Sequence, residues 1–146
     1  MTTRTRSNRG AGLAGAVLLA AAVAGCSSHA GAAVAPAHHC IAVPNDVLTQ
    51  IEVGARPGTP LAMNAASAVR ARKGIFVVAA RFLGDKGAPV VGVWTVVALH
   101  GRVAPILVAD VNSSAYSTWT SVEEFPQFGV PLKSPTIAAA RDCLHG

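Results

Sequence analysis

Three runs of β-branched and aromatic residues between residues 75 and 111 constrain the fold of this chain more than any other feature. They read IFVVAARF (75–82), VVGVWTVVAL (90–99) and PILVADV (105–111). The intervening sequence GDKGAP (84–89) predicts a hairpin loop, and His100-Gly101-Arg102 predicts a second turn. Because short connections join antiparallel neighbours, the runs predict an antiparallel β-meander, with Gly92 as a candidate bulge.

Residues 61–72, LAMNAASAVRAR, leave strand and helix open as alternatives. Their alanines favour a helix, whereas the partial alternation of small apolar and polar residues favours a strand. We expect an edge strand, whose basic end discourages pairing with another chain. The sheet is then three- or four-stranded.

Helices are predicted on either side of these strands. The first spans residues 44–53, with Asp46 near its start and Gly54 after its end, and the second begins with Ser134 as N-cap and Pro135 as first residue. The fold class is therefore α+β, with an N-terminal helix, a three- to four-stranded meander and a C-terminal helix. Since the strands are apolar on both faces, both faces need cover. We expect the two helices on one face, and residues 112–131 or a partner on the other.

Residues 112–131 carry the candidate interaction surface. Four of the seven aromatic residues of the chain, Tyr116, Trp119, Phe125 and Phe128, lie within this loop-like sequence. Aromatic side chains on loops are favoured anchors of protein interfaces. The alternative is that they fold back as a lid over the sheet, and the sequence leaves both open.

The N-terminus has the layout of a secretory signal. Arg4, Arg6 and Arg9 stand without an acidic residue in the first ten positions, and residues 11–25 form an uncharged apolar run. That run is short of the roughly 20 apolar residues that a spanning helix needs.

The end of this run, Val23-Ala24-Gly25-Cys26, resembles the lipobox of bacterial lipoproteins, in which the cysteine receives a diacylglycerol before cleavage. The resemblance implies a signal peptide over residues 1–25, a lipid anchor at Cys26, and a protein at the outer face of the cell membrane. Two acyl chains suffice for stable anchoring. An ordinary cleaved signal and an uncleaved helical anchor are the alternatives.

The remaining two cysteines predict a disulfide. With Cys26 lipidated, Cys40 and Cys143 form an even pair in an oxidising compartment, although free or metal-bound thiols are the alternative. Residues 26–39 then form a flexible tether, and residues 40–146 form a single domain. His29, His38 and His39 in the tether lack partners at ligand spacing, so we expect no metal site there.

The charge pattern speaks against nucleic acid as a partner. Without residues 1–25, nine basic residues stand against seven acidic ones, so the net charge falls from +5 to +2. The basic residues are scattered, whereas a nucleic-acid surface needs a basic stripe.

A second resemblance covers most of residues 40–146. The order of IFVVAARF, VGVWTVV, ILVADVNSSAYSTW and AAARDC is similar to small secreted or lipid-anchored proteins of high-GC Gram-positive bacteria, known to us only as uncharacterised. This resemblance implies a fold and a location, and no activity.

No pattern of catalytic residues stands out. His100 and His145 lack a nucleophile motif around them, and Glu123-Glu124 is the only acidic pair. We therefore expect a non-enzymatic envelope lipoprotein, without a cofactor, that binds an envelope protein or a small ligand. The alternatives are an enzyme with an unfamiliar site near Asp110, Tyr116 and Trp119, or a structural component of the cell wall.

Overall fold

The computed structural model describes residues 38–59, 61–72 and 74–145, which form an α+β fold of five β-strands and three α-helices. The predicted signal peptide (1–25), with the predicted lipidation site Cys26 and the other residues up to 37 of the predicted tether, lies outside the described residues. In chain order the elements are β1 (Ile41–Ala42), α1 (Asn45–Glu52), β2 (Met63–Arg72), β3 (Ile75–Leu83), β4 (Pro89–Val96), β5 (Leu107–Val108), α2 (Val111–Tyr116) and α3 (Pro135–Asp142).

The strands form one antiparallel sheet in the order β1-β2-β3-β4-β5, which confirms the predicted meander. The predicted number of three to four strands was wrong, because the short β1 also pairs with β2 at Ile41↔Ala68 and Ala42↔Ser67. The strand interpretation of residues 61–72 was correct. β2 is not an edge strand at those two positions, although β1 covers only that part of it.

The pairing of β3 with β4 is continuous from Phe76↔Val96 to Leu83↔Pro89, so the bulge predicted at Gly92 was wrong. Gly92 instead makes room for an aromatic ring. A Cβ atom at this position would lie 2.6 Å from Cη2 of Trp94, a side chain that is fully buried on the same face of the sheet.

The second and third apolar runs contribute less strand than predicted. β4 ends at Val96 rather than at residue 99, and β5 contains only Leu107 and Val108 of residues 105–111. Pro105 has no N–H to donate to a ladder.

At the other end of the third run, Asp110 begins α2, a helix within the segment that was expected to be a loop. Its carboxylate accepts from the Ser113 N–H at 2.7 Å, and the Ser113 hydroxyl accepts from the Asp110 N–H at 3.2 Å.

Both faces of the sheet are covered, but the expectation of two helices on one face was wrong. Val47 and Ile51 of α1 pack on one face, against the row that contains Phe76, Val78, Ala80 and Phe82. Residues of α3 pack on the opposite face, together with Val122 and Val130. Alternate residues of β3 therefore contribute to two separate apolar layers.

The predicted disulfide is confirmed. Cys40, directly before β1, is bonded to Cys143, directly after α3, with their Cα atoms 5.6 Å apart. The helix α3 also begins as predicted, since the Ser134 hydroxyl accepts from the Thr136 N–H at 3.3 Å and Pro135 is the first helical residue. The bond links the two ends of the domain across 103 positions of sequence.

Candidate functional site

The segment that follows α2 lies along the outer edge of β5. The Val108 N–H donates to the Thr120 carbonyl at 2.9 Å, and the Val122 N–H donates to the Val108 carbonyl at 3.0 Å. These bonds make a parallel bridge between Val108 and Ser121. Residues 120–122, which lie between Trp119 and Phe125, are thereby held against the last strand by backbone hydrogen bonds.

Tyr116, the last residue of α2, and Trp119, which follows the helix, pack onto the sheet. The Tyr116 ring contacts the Phe82 ring edge-on at 5.1 Å between centroids, and its hydroxyl accepts from the Asp85 N–H at 3.3 Å. The Trp119 indole N–H donates to the Ile51 carbonyl at 2.9 Å. Both side chains are half-buried against the layer that α1 covers, as a lid would be.

The other two aromatic residues face solvent. The side chains of Phe125 and Phe128 are 42% and 39% exposed. With one side of Trp119 they form one wall of a groove of about 390 Å³, whose opposite wall comes from the chain that enters β5. We call this the aromatic groove, and its main lining residues are Pro105, Ile106, Leu107, Trp119, Phe125 and Phe128.

The wall that carries Phe125 and Phe128 is fixed by an arginine from β2. Nη2 of Arg72 donates to the carbonyl of Gln127 at 2.6 Å, and it lies 3.3 and 3.2 Å from the carbonyls of Pro126 and Gly129. The Phe128 N–H also donates to the Phe125 carbonyl at 2.9 Å. These contacts satisfy loop carbonyls and tie down the backbone that carries the two rings.

The opposite wall is tied to α1. The Gln50 side chain donates to the Gly101 carbonyl at 2.8 Å and accepts from the Val103 N–H at 3.2 Å. Val103 and Ile106 are buried in the same layer as Ile51. The sequence prediction missed this wall, because it assigned residues 105–111 to a strand. The Ala104-Pro105 pair is a loop signal that could have indicated it.

Asp110, named in the enzyme hypothesis, is engaged on both carboxylate oxygens. Oδ1 accepts from the backbone N–H groups of Ser113 and Val93, at 2.7 and 3.2 Å. Oδ2 accepts from Nη2 of Arg141 at 2.6 Å, and the Asp110 side chain is only 7% exposed. The residue joins α2, β4 and α3, which is a positioning role.

A second, more polar depression of about 490 Å³ lies beside α2. Arg56, Asp110, Ser114 and Glu123 line it, together with apolar residues that include Val111. Nη2 of Arg56 donates to the Ser114 carbonyl at 3.0 Å. The three residues of the enzyme hypothesis do not share a site, because Asp110 lines this depression, Tyr116 packs on Phe82 and Trp119 lines the aromatic groove.

Within residues 38–59, 61–72 and 74–145, no group of three or more His, Cys, Asp or Glu side chains is arranged to hold a metal ion. His38 and His39 are exposed, and Cys40 is in the disulfide. The same ranges contain no helix with the length and hydropathy needed to cross a membrane.

Comparison with known proteins gives no match. No family model, no curated protein and no solved structure was found to match this chain.

Proposed function

We propose that this protein is an exported lipoprotein, anchored through Cys26 to the outer face of the cell membrane. Its disulfide-closed domain is a non-enzymatic module that holds another protein of the envelope in the aromatic groove. The observation that carries the binding role is the exposure of Phe125 and Phe128 on a loop fixed by Arg72.

The anchoring part of the proposal rests on sequence. Three arginines, an uncharged apolar run and the small residues before Cys26 follow the order of a lipoprotein signal. The Cys40–Cys143 bond adds indirect support, since disulfides persist in oxidising compartments outside the cytosol. Because Cys40 and Cys143 are bonded to each other, Cys26 is the one cysteine of the three that is not needed for this disulfide.

The binding part rests on the shape and rigidity of the groove. The backbone next to its wall residues is tied to β2 and α1 by side-chain hydrogen bonds, from Arg72 to the Gln127 carbonyl and between Gln50 and the Gly101 and Val103 backbone. A partner therefore meets a loop whose backbone is already tied down, which lowers the entropic cost of association. Asp110 favours this role over catalysis, because its carboxylate is used to join three elements.

The anchor is tested by labelling with a radioactive or alkyne-bearing fatty acid. Cys26→Ala is expected to lose the label and to leave the membrane fraction, because no acyl acceptor remains. Ser27→Ala is the matched control, and it keeps both properties. A Cys26→Ala protein that still carries the label and sediments with membranes contradicts the proposal.

The binding role is tested by site-specific photo-crosslinking of the full chain in intact cells. A photoreactive residue replaces Phe125 or Phe128, and in the control it replaces Leu83, which is 54% exposed at the end of β3. We expect the same single protein adduct from positions 125 and 128 and none from position 83. Absence of adducts, equal adducts from position 83, or an adduct with the mass of two copies contradicts the binding role.

A further inference from the structure

We propose that the polar depression beside α2 binds a small zwitterion with an aliphatic side chain, namely an aliphatic amino acid or a dipeptide of such residues. This site is separate from the aromatic groove, so the inference goes beyond the proposed function and is tested independently of it. Three features of the depression support it: its size, the opposite charges on its walls, and its exposed aliphatic side chains.

The depression has room for a small molecule. Its volume of about 490 Å³ lies within the range that is usual for ligand sites, roughly 300–1,000 Å³. A neighbouring depression of about 240 Å³ shares Glu123 and Leu132 with it. The residues that line only the second depression are apolar: Val122, Pro126, Val130 and Pro131. The first depression therefore accommodates an amino acid, and the second offers space for the side chain of a further residue.

The walls of the larger depression carry one basic and one acidic side chain without an ion-pair partner. Arg56 and Glu123 both line it, and both are exposed. Nη2 of Arg56 donates to the Ser114 carbonyl at 3.0 Å, which leaves other N–H groups of the guanidinium for a ligand. Among the described residues, the one ion pair joins Arg141 to Asp110. Both charges are therefore available to a ligand.

The remaining charged residue of the lining adds no net charge. Asp110 is only 7% exposed, and its carboxylate is paired with Arg141 at 2.6 Å. Loss of water from a charge that gains no partner is costly. A ligand with only a carboxylate would leave Glu123 unpaired, and a ligand with only an ammonium group would leave Arg56 unpaired. The lining therefore favours a ligand that carries both charges.

Two exposed aliphatic side chains favour an apolar group on the same ligand. Val111 is 81% exposed and Leu132 is 42% exposed, and both line the depression. Contact with an aliphatic side chain removes these surfaces from water, which is favourable. The aliphatic members of the class are therefore expected to bind more tightly than glycine.

The backbone that carries the two charges is tied to the rest of the domain. The Arg56 N–H donates to the Tyr116 carbonyl at 3.1 Å, and the Glu123 N–H donates to the Ser121 hydroxyl at 3.2 Å. Ser121 is in turn bridged to Val108 of β5. Binding then orders little more than two side chains, which keeps the entropic cost low.

The experiment measures binding of L-leucine and of L-leucyl-L-leucine to the purified full-length protein by isothermal titration calorimetry. We expect saturable one-site binding of at least one of them, with a dissociation constant of about 1 mM or below. Binding of the dipeptide alone indicates that the ligand extends into the second depression, and binding of leucine shows that the first suffices. Absence of saturable binding of both overturns the inference.

Analogues of the better ligand test the need for both charges. The N-acetyl analogue lacks the ammonium group, and the carboxamide analogue lacks the carboxylate. Each is expected to bind about tenfold more weakly than the zwitterion, because one charge-assisted hydrogen bond is lost. Analogues that bind as tightly as the zwitterion overturn the inference.

Substitutions then pair each charge of the ligand with its side chain. Arg56→Gln is expected to weaken binding of the zwitterion about tenfold and to leave binding of the carboxamide unchanged, because that analogue has no carboxylate to lose. Glu123→Gln is expected to have the converse effect, with binding of the N-acetyl analogue unchanged. Arg102→Gln and Glu124→Gln remove exposed charges outside the lining, and these matched controls keep the affinity of the wild type. An unchanged affinity in Glu123→Gln overturns the inference.

Two controls separate this site from folding and from the aromatic groove. Because Arg56 also contacts Ser114, the fold of Arg56→Gln is checked by near-UV circular dichroism. Glu123 makes no side-chain hydrogen bond to the described residues, so Glu123→Gln decides the question if Arg56→Gln is unfolded. Phe128→Ser is expected to leave ligand binding unchanged, and a loss of binding would place the ligand in the aromatic groove and overturn the inference. Intact ligand binding without crosslinks from positions 125 and 128 refutes the protein-binding role alone.

Discussion

Removal of the Cys40–Cys143 bond is expected to destabilise the domain by a large fraction of its total stability. The bond closes a loop over a sequence separation of 103. In the chain-entropy model a loop of about this length restricts the denatured state by about 4.7 kcal/mol, which is an upper value where the denatured chain keeps residual structure. Single domains are stable by only about 5–15 kcal/mol, so the domain without the bond is near its limit.

Packing at the two ends of the loop argues that the domain still folds. On α3, Ile137, Ala139 and Ala140 are buried against the sheet, and α1 buries Val47 and Ile51 on the opposite face. Burial of a side chain such as isoleucine contributes about 1.5–3 kcal/mol. These contacts hold both ends of the chain in place without the covalent link.

The assay compares the wild type with the variant that carries Cys40→Ser and Cys143→Ser together, by guanidinium unfolding followed with circular dichroism. We expect the variant to be folded and less stable by about 3–5 kcal/mol, with a steeper denaturant dependence, because its denatured chain is less compact. Reductant is expected to lower the stability of the wild type and to leave the variant unchanged. A difference below about 1 kcal/mol refutes the reasoning, since the loop then contributes no entropy difference.

Three other substitutions test the contacts that position the site. Asp110→Ala leaves three donors without an acceptor, so it is expected to lower the free energy of unfolding in urea by about 2 kcal/mol. Asp110→Asn still caps α2 and is expected to lower it by less than about 1 kcal/mol. Equal losses would contradict the capping role. Gly92→Ala places a Cβ 2.6 Å from the Trp94 ring and is expected to lower the free energy of unfolding by about 2 kcal/mol. The near-UV circular dichroism spectrum is expected to change as well. Unchanged stability and an unchanged spectrum would show that the ring has room for the methyl group. Arg72→Met is expected to speed amide exchange at Phe128 with little change in global unfolding, and unchanged exchange would mean that the loop holds itself.

The central strands were predictable because their signal is local. Ile75–Leu83 and Pro89–Val96 are β-branched runs bounded by turn residues, and a nine-residue strand followed by a tight turn has few other solutions. The disulfide was predictable from the cysteine count together with the export that the N-terminal sequence predicts. The start of α3 followed from the Ser134-Pro135 pair, whose roles at a helix N-terminus depend only on neighbouring residues.

The assignment of helices to faces was not predictable in the same way. In β3, Phe76, Val78 and Phe82 point to one face and Ile75 and Val77 to the other, and both rows are apolar. A strand of this kind accepts cover on either side equally well, so its sequence contains no preference for α1 or α3. The choice depends on the paths of the connecting chains across the whole sheet.

The site was predictable in its residues and not in its geometry. The aromatic content of residues 112–131 indicated where to look, but the separation of the four rings depends on distant partners. Trp119 is drawn inward by the Ile51 carbonyl, and Phe128 is held outward by Arg72 through the neighbouring carbonyls. These partners lie 68 positions from Trp119 and 55 positions from Gln127, so no local pattern specifies them.

The contacts that build the aromatic groove are separate from the surfaces that a partner would touch. Arg72 and Gln50 act on backbone carbonyls and N–H groups behind the walls, whereas Phe125 and Phe128 present their rings to solvent. A substitution of Arg72 or Gln50 therefore loosens the backbone of the groove and leaves its contact area unchanged. A substitution of Phe125 or Phe128 removes contact area and leaves these backbone hydrogen bonds in place. The first kind raises the ordering cost of binding, and the second lowers the contact energy. Because the two effects have different origins, Arg72→Met is expected to change amide exchange of the free protein, and Phe128→Ser only its affinity for a partner.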